Sequence, residues 1–345
     1  MSGGIAQLVA IGAQDAHIVG QPEVSFFRSN YKRHTNFAQT VERQVIQGNP
    51  VADGMSTVRF ERKGDLLGFV YLAPRSGTTT YSPADWLGQV AKVEWLVGGQ
   101  VIDTQDANFS QYVAPTVMTQ NLTKSITGYG EKTSRFYPLR FSFCENWQSA
   151  IPLVALQYHD VEIRITWGGS LSGAWECYAH FIYLDTDERS SLAATSQNML
   201  ITQTQKSVAS SSTIQELNLN HPVKYLAAAD GSNLAIAANN NKIKLQINGT
   251  DVTDFKYTDP HFTAVSEYYH TCASVADASG NNKKRFIYPF CFETGKLQPT
   301  GSLNFSRVDS ARLVSETESH ADDIYAVNYN IMRIESGMGG LMYSN

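Results

Sequence analysis

The feature that most constrains the fold of this 345-residue chain is an internal repeat with a spacing close to 150 residues. The stretch VEWLVGGQVID, residues 93–103, matches IKLQINGTDVTD, residues 243–254. Both stretches read as β-hairpins whose two-residue turns, Gly-Gly and Asn-Gly, favour the positive φ angles that such turns require. Gly99 and Gly249 lie 150 positions apart, and the apolar residues that alternate before each turn coincide at the same offset.

Two further pairs of stretches match at nearly the same offset. ALQYHDVEI matches LNFSRVDSARL, with Asp160 and Asp309 separated by 149 positions, and both follow a proline. CYAHFIYL matches IYAVNYNI, with Tyr178 and Tyr325 separated by 147 positions. Three matches at nearly one offset indicate two tandem copies of one domain of about 150 residues.

Short segments of alternating apolar and polar residues predict that each copy is a β domain. The segments TVRFERKG, LLGFVYLAP, RFYPLRFSFC and VEIRITWGG are predicted strands, and SPADWLGQVAKV is a predicted helix with Ser82 as its N-cap and Pro83 in its first turn. The polar segment 186–205 interrupts the alternation, so we place the domain boundary there. Domains of this size with many short strands are sandwiches, jelly rolls or barrels.

A mixed aromatic and basic stretch, SFFRSNYKRHTNFA at residues 25–38, raises the question of nucleic-acid binding. Its cationic and imidazole groups are Arg28, Lys32, Arg33 and His34. Interleaved aromatics and cations suit single-stranded nucleic acid. However, the net charge of −5 lacks the basic excess of a general nucleic-acid binder, so a structural contact is favoured over genome binding.

Motifs for catalysis or cofactor binding are absent from the sequence. No phosphate-binding loop, nucleophile elbow or H-E-x-x-H motif occurs, and the four cysteines are scattered like free thiols in a reducing compartment. His159 beside Asp160 could form half of a catalytic pair, but a structural histidine is favoured. The acidic segment 185–189 lacks the glycine and final glutamate of a calcium loop, so a helix N-terminus is favoured. We predict no enzymatic activity, no metal and no cofactor.

The sequence resembles the double jelly-roll major capsid proteins of the nucleocytoplasmic large DNA viruses along nearly its whole length. The resemblance is carried by FFRSNYKRHTNFA, VEWLVGGQVID, IPLVALQYHDVEI, YLDTDER, NHPVKYL, LQPTGSLNFSRVDSARL and YAVNYNIMRIESGMGGLMY. It implies an all-β fold of two tandem eight-stranded jelly rolls with short helices in the loops and the linker. It also implies trimeric, pseudo-hexameric capsomers that tile an icosahedral virion shell outside an internal membrane.

This resemblance sets the expected domains and partners. We expect an N-terminal arm at 1–24, a first jelly roll at 25–188, a linker at 189–206 and a second jelly roll at 207–345. Expected partners are two further copies of the chain, neighbouring capsomers, minor capsid proteins and, through the arm, the internal membrane. No direct contact with nucleic acid is expected, and assembly is expected in the host cytoplasm.

The stretch 25–38 then acquires a structural interpretation. Its aromatic residues are expected to act as core and packing anchors near the inner base of the capsomer. Arg28, Lys32, Arg33 and His34 are expected to contact neighbouring subunits, minor capsid proteins or the membrane. The alternative function is a tandem β-sandwich that binds carbohydrate, because such modules are also rich in tryptophan, tyrosine, asparagine and aspartate.

Overall fold

The computed structural model describes residues 3–76, 79–120, 134–229, 234–238, 240–272 and 285–343. The chain divides into two compact units, Met1–Asn36 and Phe37–Asn345. The smaller unit contains two short helices, α1 (Gly3–Val9) and α2 (Ala16–Val19), and otherwise consists of turns and extended chain. Its apolar side chains are exposed, with Leu8 at 76% and Ile18 at 82%.

In the first half of the larger unit, ten strands form two antiparallel sheets. The strands are β1 (Phe37–Gln44), β2 (Ile46–Gln47), β3 (Met55–Arg59), β4 (Leu66–Pro74), β5 (Val90–Val97), β6 (Gln100–Asp106), β7 (Tyr137–Pro138), β8 (Ile151–Pro152), β9 (Val161–Trp167) and β10 (Trp175–Leu184). One sheet has the order β1-β10-β4-β7, with β8 also paired to β4. The other sheet has the order β2-β3-β9-β5-β6.

The second half repeats this arrangement. Its strands are β11 (Gln197–Ser207), β12 (Ile214–Glu216), β13 (Pro222–Ala228), β14 (Lys242–Ile247), β15 (Thr250–Asp251), β16 (Lys256–Tyr257), β17 (Phe286–Pro289), β18 (Leu303–Asn304), β19 (Ala311–Ser315), β20 (Ile324–Glu335) and β21 (Met338–Leu341). One sheet has the order β11-β20-β13-β17, with β18 on β13 and β21 on β20. The other has the order β12-β19-β14-β15, with β16 on β14.

The two halves therefore share one strand order, in which the first strand pairs with a long late strand, β10 or β20, and that strand pairs in turn with β4 or β13. In the described residues the first half has two five-stranded sheets and the second has one of six and one of five strands, which confirms the prediction of two jelly rolls. The matched hairpins occupy equivalent places, β5–β6 and β14–β15. Their turns have positive φ, 56° and 82° at Gly98 and Gly99 and 49° and 80° at Asn248 and Gly249, as the sequence predicts.

Short helices lie between the strands. They are α3 (Pro83–Gln89), α4 (Ala114–Val117), α5 (Ser142–Glu145), α6 (Thr186–Ala194) and α7 (Ser266–His270), with single π-helical segments π1 (Phe109–Val113) and π2 (His261–Val265). Three-residue 3₁₀ turns lie at Trp147–Ser149, Leu153–Ala155, Ala235–Ala237 and Phe305–Arg307. The predicted helix after Ser82 is confirmed for α3, because Ser82 and Asp85 form a reciprocal capping box, but the prediction was wrong for residues 90–93, which belong to strand β5.

The segment RFYPLRFSFC, residues 135–144, corrects one strand prediction. Only Tyr137–Pro138 is strand, and α5 begins at Ser142. Phe141 and Phe143 are both buried, with exposures of 0% and 1%, and a short apolar run of this kind does not distinguish a strand from a buried turn of helix.

The segment predicted as a linker, 189–206, contains the end of α6 and most of β11. Strand β11 pairs along its whole length with β20 and belongs to a sheet of the second jelly roll. The first strand of the first jelly roll begins at Phe37. The domain boundaries at 24, 188 and 206 stay predictions.

Each jelly roll buries an apolar core between its two sheets, and Ile201, Met332 and Ile334 of the second jelly roll join the first core. The first core contains Trp86, Trp95 and Trp167, all fully buried, and the second contains Leu245, Phe286 and Leu313. A third cluster lies where the two jelly rolls meet. This third cluster buries part of the segment 109–118 and the outer side of the sheet β11-β20-β13-β17.

Candidate subunit-contact surfaces

The four predicted contact residues lie in the smaller unit, in chain without regular secondary structure. Arg28, Lys32, Arg33 and His34 are all exposed, and His34 Nδ1 lies 2.7 Å from the carbonyl oxygen of Thr35. Their role in subunit contact stays a prediction.

The aromatic neighbours of these cations are also exposed. Phe26 is 91% exposed, Phe27 98% and Tyr31 83%. The expectation that they act as core anchors is therefore wrong for this chain, because none of the three is buried. They form an apolar surface beside the cations, and such a surface in a folded protein commonly marks a contact with a partner.

Within the larger unit, the third apolar cluster joins the two jelly rolls. We call residues 106–118, which include π1 and α4, the first connecting segment. The cluster contains apolar side chains of this segment. This segment covers the outward side of the sheet β11-β20-β13-β17, which we call the second sheet face. The buried residues of that face are Tyr225, Ala227, Ile287, Tyr325 and Val327. Phe109 is fully buried there, with its ring 5.4 Å from the ring of Tyr325.

Charged and polar groups reinforce the same junction. The hydroxyl of Tyr325 donates to Asp106 Oδ2 at 2.8 Å, and Lys206 Nζ donates to the same carboxylate at 3.0 Å. Lys206 also pairs with Asp323 at 2.6 Å. Burial and then Asp106 raise the pKa of Tyr325. Burial lowers the pKa of Lys206, but its bonds to Asp323 and Asp106 outweigh that effect and raise it.

Asp103 supplies a second polar contact across the junction. Its Oδ1 accepts a hydrogen bond from the backbone N–H of Thr204 in β11 at 2.8 Å, and its Oδ2 accepts one from Gln105 Nε2 at 2.9 Å. The side chain is only 4% exposed, and burial raises the pKa of Asp103 to about 7 despite these hydrogen bonds. The junction therefore contains a carboxyl group that titrates near neutral pH.

The equivalent face of the first jelly roll is exposed. On the outward side of the sheet β1-β10-β4-β7, which we call the first sheet face, Phe69 is 42% and Phe136 36% exposed. Tyr71 stacks on Tyr178 with ring centres 5.2 Å apart and meets Phe136 edge-on at 5.7 Å. A groove of about 530 Å³ runs along this face beside Phe69, Tyr71 and Phe136. The first sheet face is thus apolar and aromatic.

A second connecting segment, residues 259–270, is the counterpart of the first. It contains π2 followed by α7, in the same order as π1 and α4. Phe262 is buried, as Phe109 is, but Tyr268 is 78% and Tyr269 71% exposed. Their rings meet edge-on, with centres 4.9 Å apart. In the described part of the chain, the first sheet face and the second connecting segment are therefore exposed where their counterparts are covered.

The two candidate sites of chemistry have structural roles. His159 Nδ1 lies 2.8 Å from the carbonyl oxygen of Gly339, which ties the loop before β9 to β21. Asp185 caps α6 by accepting a hydrogen bond from the N–H of Thr186 at 2.8 Å. Across the described residues no group of three or more histidine, cysteine or acidic side chains could hold a metal ion. No helix in that same part of the chain is long and apolar enough to cross a membrane.

Sequence reasoning missed the exposed aromatics of the second connecting segment and the charged groups of the junction. Lys206, Asp106 and Tyr325 come from three distant parts of the chain. No linear signal in the sequence marks them, because their significance depends on strand register and burial, which only the structure shows.

Comparisons with known proteins agree with this architecture. A family profile described as the major capsid protein N-terminus matches residues 25–170, and one described as the large eukaryotic DNA virus major capsid protein matches residues 228–340. The major capsid protein of Pyramimonas orientalis virus is 35% identical, and that of Paramecium bursaria Chlorella virus 1 is 30% identical. Both alignments cover 100% of this chain and of the relative.

Solved structures show the same similarity. PBCV-1 VP54 aligns with a TM-score of 0.76 at 26% identity, covering 93% of this chain and 100% of that chain. The Faustovirus major capsid protein aligns with a TM-score of 0.64 at 11% identity, covering 94% of each chain, which supports the fold alone.

The strand order, the junction and these similarities define a double jelly-roll protein of the kind that forms virus capsids. The chain belongs to the family of major capsid proteins of large eukaryotic DNA viruses. It is a structural component of the virion capsid, and this assignment is favoured over carbohydrate binding.

Proposed function

We propose that the chain assembles with two further copies into a pseudo-hexagonal capsomer, and that capsomers tile an icosahedral shell. The observation that carries this proposal is the direction of the junction between the jelly rolls, in which a connecting segment of one covers a sheet face of the next. Each chain then retains one exposed face and one exposed segment. A head-to-tail contact of this type can repeat from chain to chain until a ring closes. Because each chain contributes two similar jelly rolls, three chains form a ring of six.

The test is the native mass of the purified protein, measured by light scattering over a series of dilutions. A single species near 114 kDa, three times the chain mass of 38.1 kDa, is expected to persist on dilution. Persistence follows from an obligate interface, which buries more than about 2,000 Å². A folded species at the mass of one chain would contradict the proposal.

The smaller unit is proposed to contact what lies inside the shell. Arg28, Lys32, Arg33 and His34 would bind neighbouring subunits, minor capsid proteins or the headgroups of the internal membrane. Their exposure beside Phe26, Phe27 and Tyr31 supports this role, because aromatics flanked by cations suit both an acidic protein surface and an anionic membrane. The net charge of −5 argues against direct contact with the genome.

Deleting residues 1–20 tests this division of roles. The truncated chain is expected to form trimers of unchanged stability, because α1 and α2 bury no residue of their own. Closed shells are expected to be lost when it replaces the full chain in infected cells, as judged by electron microscopy of the particles. Loss of the trimer itself would contradict a role confined to shell closure.

We also propose that the protein catalyses no reaction, needs no cofactor and assembles in the host cytoplasm. The structural role of its relatives supports the first part. The four scattered cysteines fit a reducing compartment and support the last part. Fluorescence imaging of the tagged protein during infection tests the location, and nuclear accumulation before assembly would contradict it.

A further inference from the structure

We propose that the second connecting segment of one copy packs on the first sheet face of a neighbouring copy, and that Asp259 of one copy pairs with Arg43 of the next. This inference rests on the proposed self-assembly and adds which surfaces and residues meet. In this contact, each residue between the chains takes the place of an equivalent residue at the junction inside the chain.

The strand register fixes the equivalent positions on the two sheet faces. In the second jelly roll, Tyr325 of β20 lies opposite Lys206 of β11. In the first, Tyr178 of β10 lies opposite Arg43 of β1. Because Tyr178 and Tyr325 also match in sequence, Arg43 occupies the place of Lys206, and the two positions carry the same charge.

The acidic partner within each sheet is equivalent as well. Lys206 pairs with Asp323, which stands two residues before Tyr325. Arg43 pairs at 3.0 Å with Glu176, which stands two residues before Tyr178. Each cation therefore has one carboxylate partner on the neighbouring strand of its own sheet.

Lys206 has a second carboxylate partner, Asp106, which comes from the other jelly roll. Asp106 begins the first connecting segment and accepts a hydrogen bond at 2.8 Å from the backbone N–H of Phe109, the first residue of π1. On the first sheet face, the equivalent of this second carboxylate must come from a connecting segment of another copy. Arg43 is 61% exposed, and a guanidinium has five N–H donors, so it can bind two carboxylates.

Asp259 is the counterpart of Asp106 in local sequence, although by strand register Tyr257 lies opposite Lys242 where Asp106 lies opposite Lys92. The sequence around Asp106 is DANF and around Asp259 is DPHF, 153 positions later. In both, a π-helical segment follows and the phenylalanine is buried in the chain's own interior. Asp259 Oδ1 accepts a hydrogen bond from Thr263 Oγ1 at 2.6 Å, which holds the carboxylate at the start of the segment.

The apolar surfaces agree with the charged pair. Ala264, Val265, Tyr268 and Tyr269 form the exposed side of the second connecting segment, whereas residues 109–119 are all buried. The first sheet face offers an aromatic groove of about 530 Å³ at the place that the first connecting segment fills on the second sheet face. The occupant of this groove is therefore the second connecting segment of another copy.

A charge exchange tests the pair. Arg43→Glu and Asp259→Arg are each expected to weaken the trimer, because like charges would meet across the contact. The protein concentration at which half of the trimer has dissociated should rise at least tenfold. The double variant, with both charges exchanged, is expected to return to within about threefold of the wild type. Arg312→Glu is the matched control, because Arg312 is also a half-exposed strand arginine that pairs with a carboxylate on the adjacent strand.

A cross-link provides a second readout for the case in which a charge variant folds poorly. The variant with both Arg43→Cys and Asp259→Cys is expected to give, on oxidation, a covalent species near 114 kDa on a denaturing gel. The control with Arg312→Cys and Asp259→Cys is expected to remain at the mass of one chain.

The outcomes separate this inference from the proposed function. A wild-type monomer would overturn the proposed trimer. A stable wild-type trimer that neither cross-links through these positions nor responds to the charge exchange would overturn only the pairing. Coverage of the first sheet face by the chain's own N-terminal segment would also overturn the pairing. In that case, the cross-link between positions 43 and 259 would form only after residues 1–36 are deleted.

Discussion

The two connecting segments have the same local structure and opposite environments. In the first, π1 and α4 are buried between the jelly rolls, and Phe109 and Val117 are at most 1% exposed. In the second, π2 and α7 leave Tyr268 and Tyr269 more than two-thirds exposed. The difference lies in the partner and not in the segment, because the first segment packs on the second sheet face, whereas in the described residues the outer side of the second segment is exposed. In a chain with an internal repeat, a surface that is buried in one copy and exposed in the other thus indicates where a partner binds.

The largest expected effect is a difference in the free energy of unfolding between a variant of the first segment and a variant of the second. Phe109→Ala is expected to lower the free energy of unfolding by about 3–5 kcal/mol, because it opens a cavity in a fully buried cluster. Tyr269→Ala is expected to change it by less than about 0.5 kcal/mol in the monomer while weakening the trimer. Native mass measured in rising urea gives the dissociation of the trimer, and circular dichroism of the same samples gives the unfolding of the chain.

An equal loss of monomer stability in both variants would contradict the comparison. It would mean that Tyr269 already packs within its own chain. Tyr158→Ala, at another exposed tyrosine that is 74% accessible, is the control for removing an aromatic ring from the surface.

The pH dependence of stability is expected to come from the covered junction. The native pKa of Asp103 is about 7 and its usual value is near 3.8, so the native state holds the proton between these values. The stabilising contribution is therefore present below about pH 4 and is lost as the pH rises through about 7. Integration gives a decrease of about 4 kcal/mol in the free energy of unfolding over this window.

Asp103→Asn is the matched variant for this prediction, because its amide oxygen can still accept from Thr204. Denaturant unfolding at a series of pH values should give a smaller slope for the variant than for the wild type. Identical slopes would show that Asp103 is ionised in the native state throughout the range.

A smaller effect is expected from the acidic residues that begin the two segments. Asp106→Ala removes the acceptor of the Tyr325 hydroxyl and the partner of Lys206, so it should cost about 2–3 kcal/mol of chain stability. Asp259→Ala loses its bond to Thr263 and should cost less chain stability than Asp106→Ala. Thermal unfolding of both variants, with matched trimer content, measures the difference. A larger loss for Asp259→Ala would reverse the assignment of covered and exposed segments.

Local patterns in the sequence predicted the strands and the hairpin turns, their recurrence at one offset predicted two tandem β domains, and the resemblance to capsid proteins implied that these domains are jelly rolls. A Gly-Gly or Asn-Gly pair favours positive φ wherever it stands, and Ser82 followed by Pro83 starts a helix without help from distant residues. The segment 135–144 was predicted wrongly because its apolar run is buried in either conformation, and only tertiary packing decides between them.

The contact surfaces were harder to predict from sequence. Composition pointed to Arg28 and its neighbours, because aromatics and cations are adjacent there in the chain. Arg43 and Asp259 are ordinary residues in sequence, and their significance depends on the strand register and on the buried state of Lys206 and Asp106. Such information is non-local, so a linear pattern does not contain it.

The most direct test of the central claim is an electron cryo-microscopy map of the purified assembly at a resolution that shows side chains. The account predicts a closed ring of three chains in which residues 259–270 of each chain cover the first sheet face of the next, repeating the junction inside the chain. A ring in which that face is covered by another element, or is open to solvent, would contradict it.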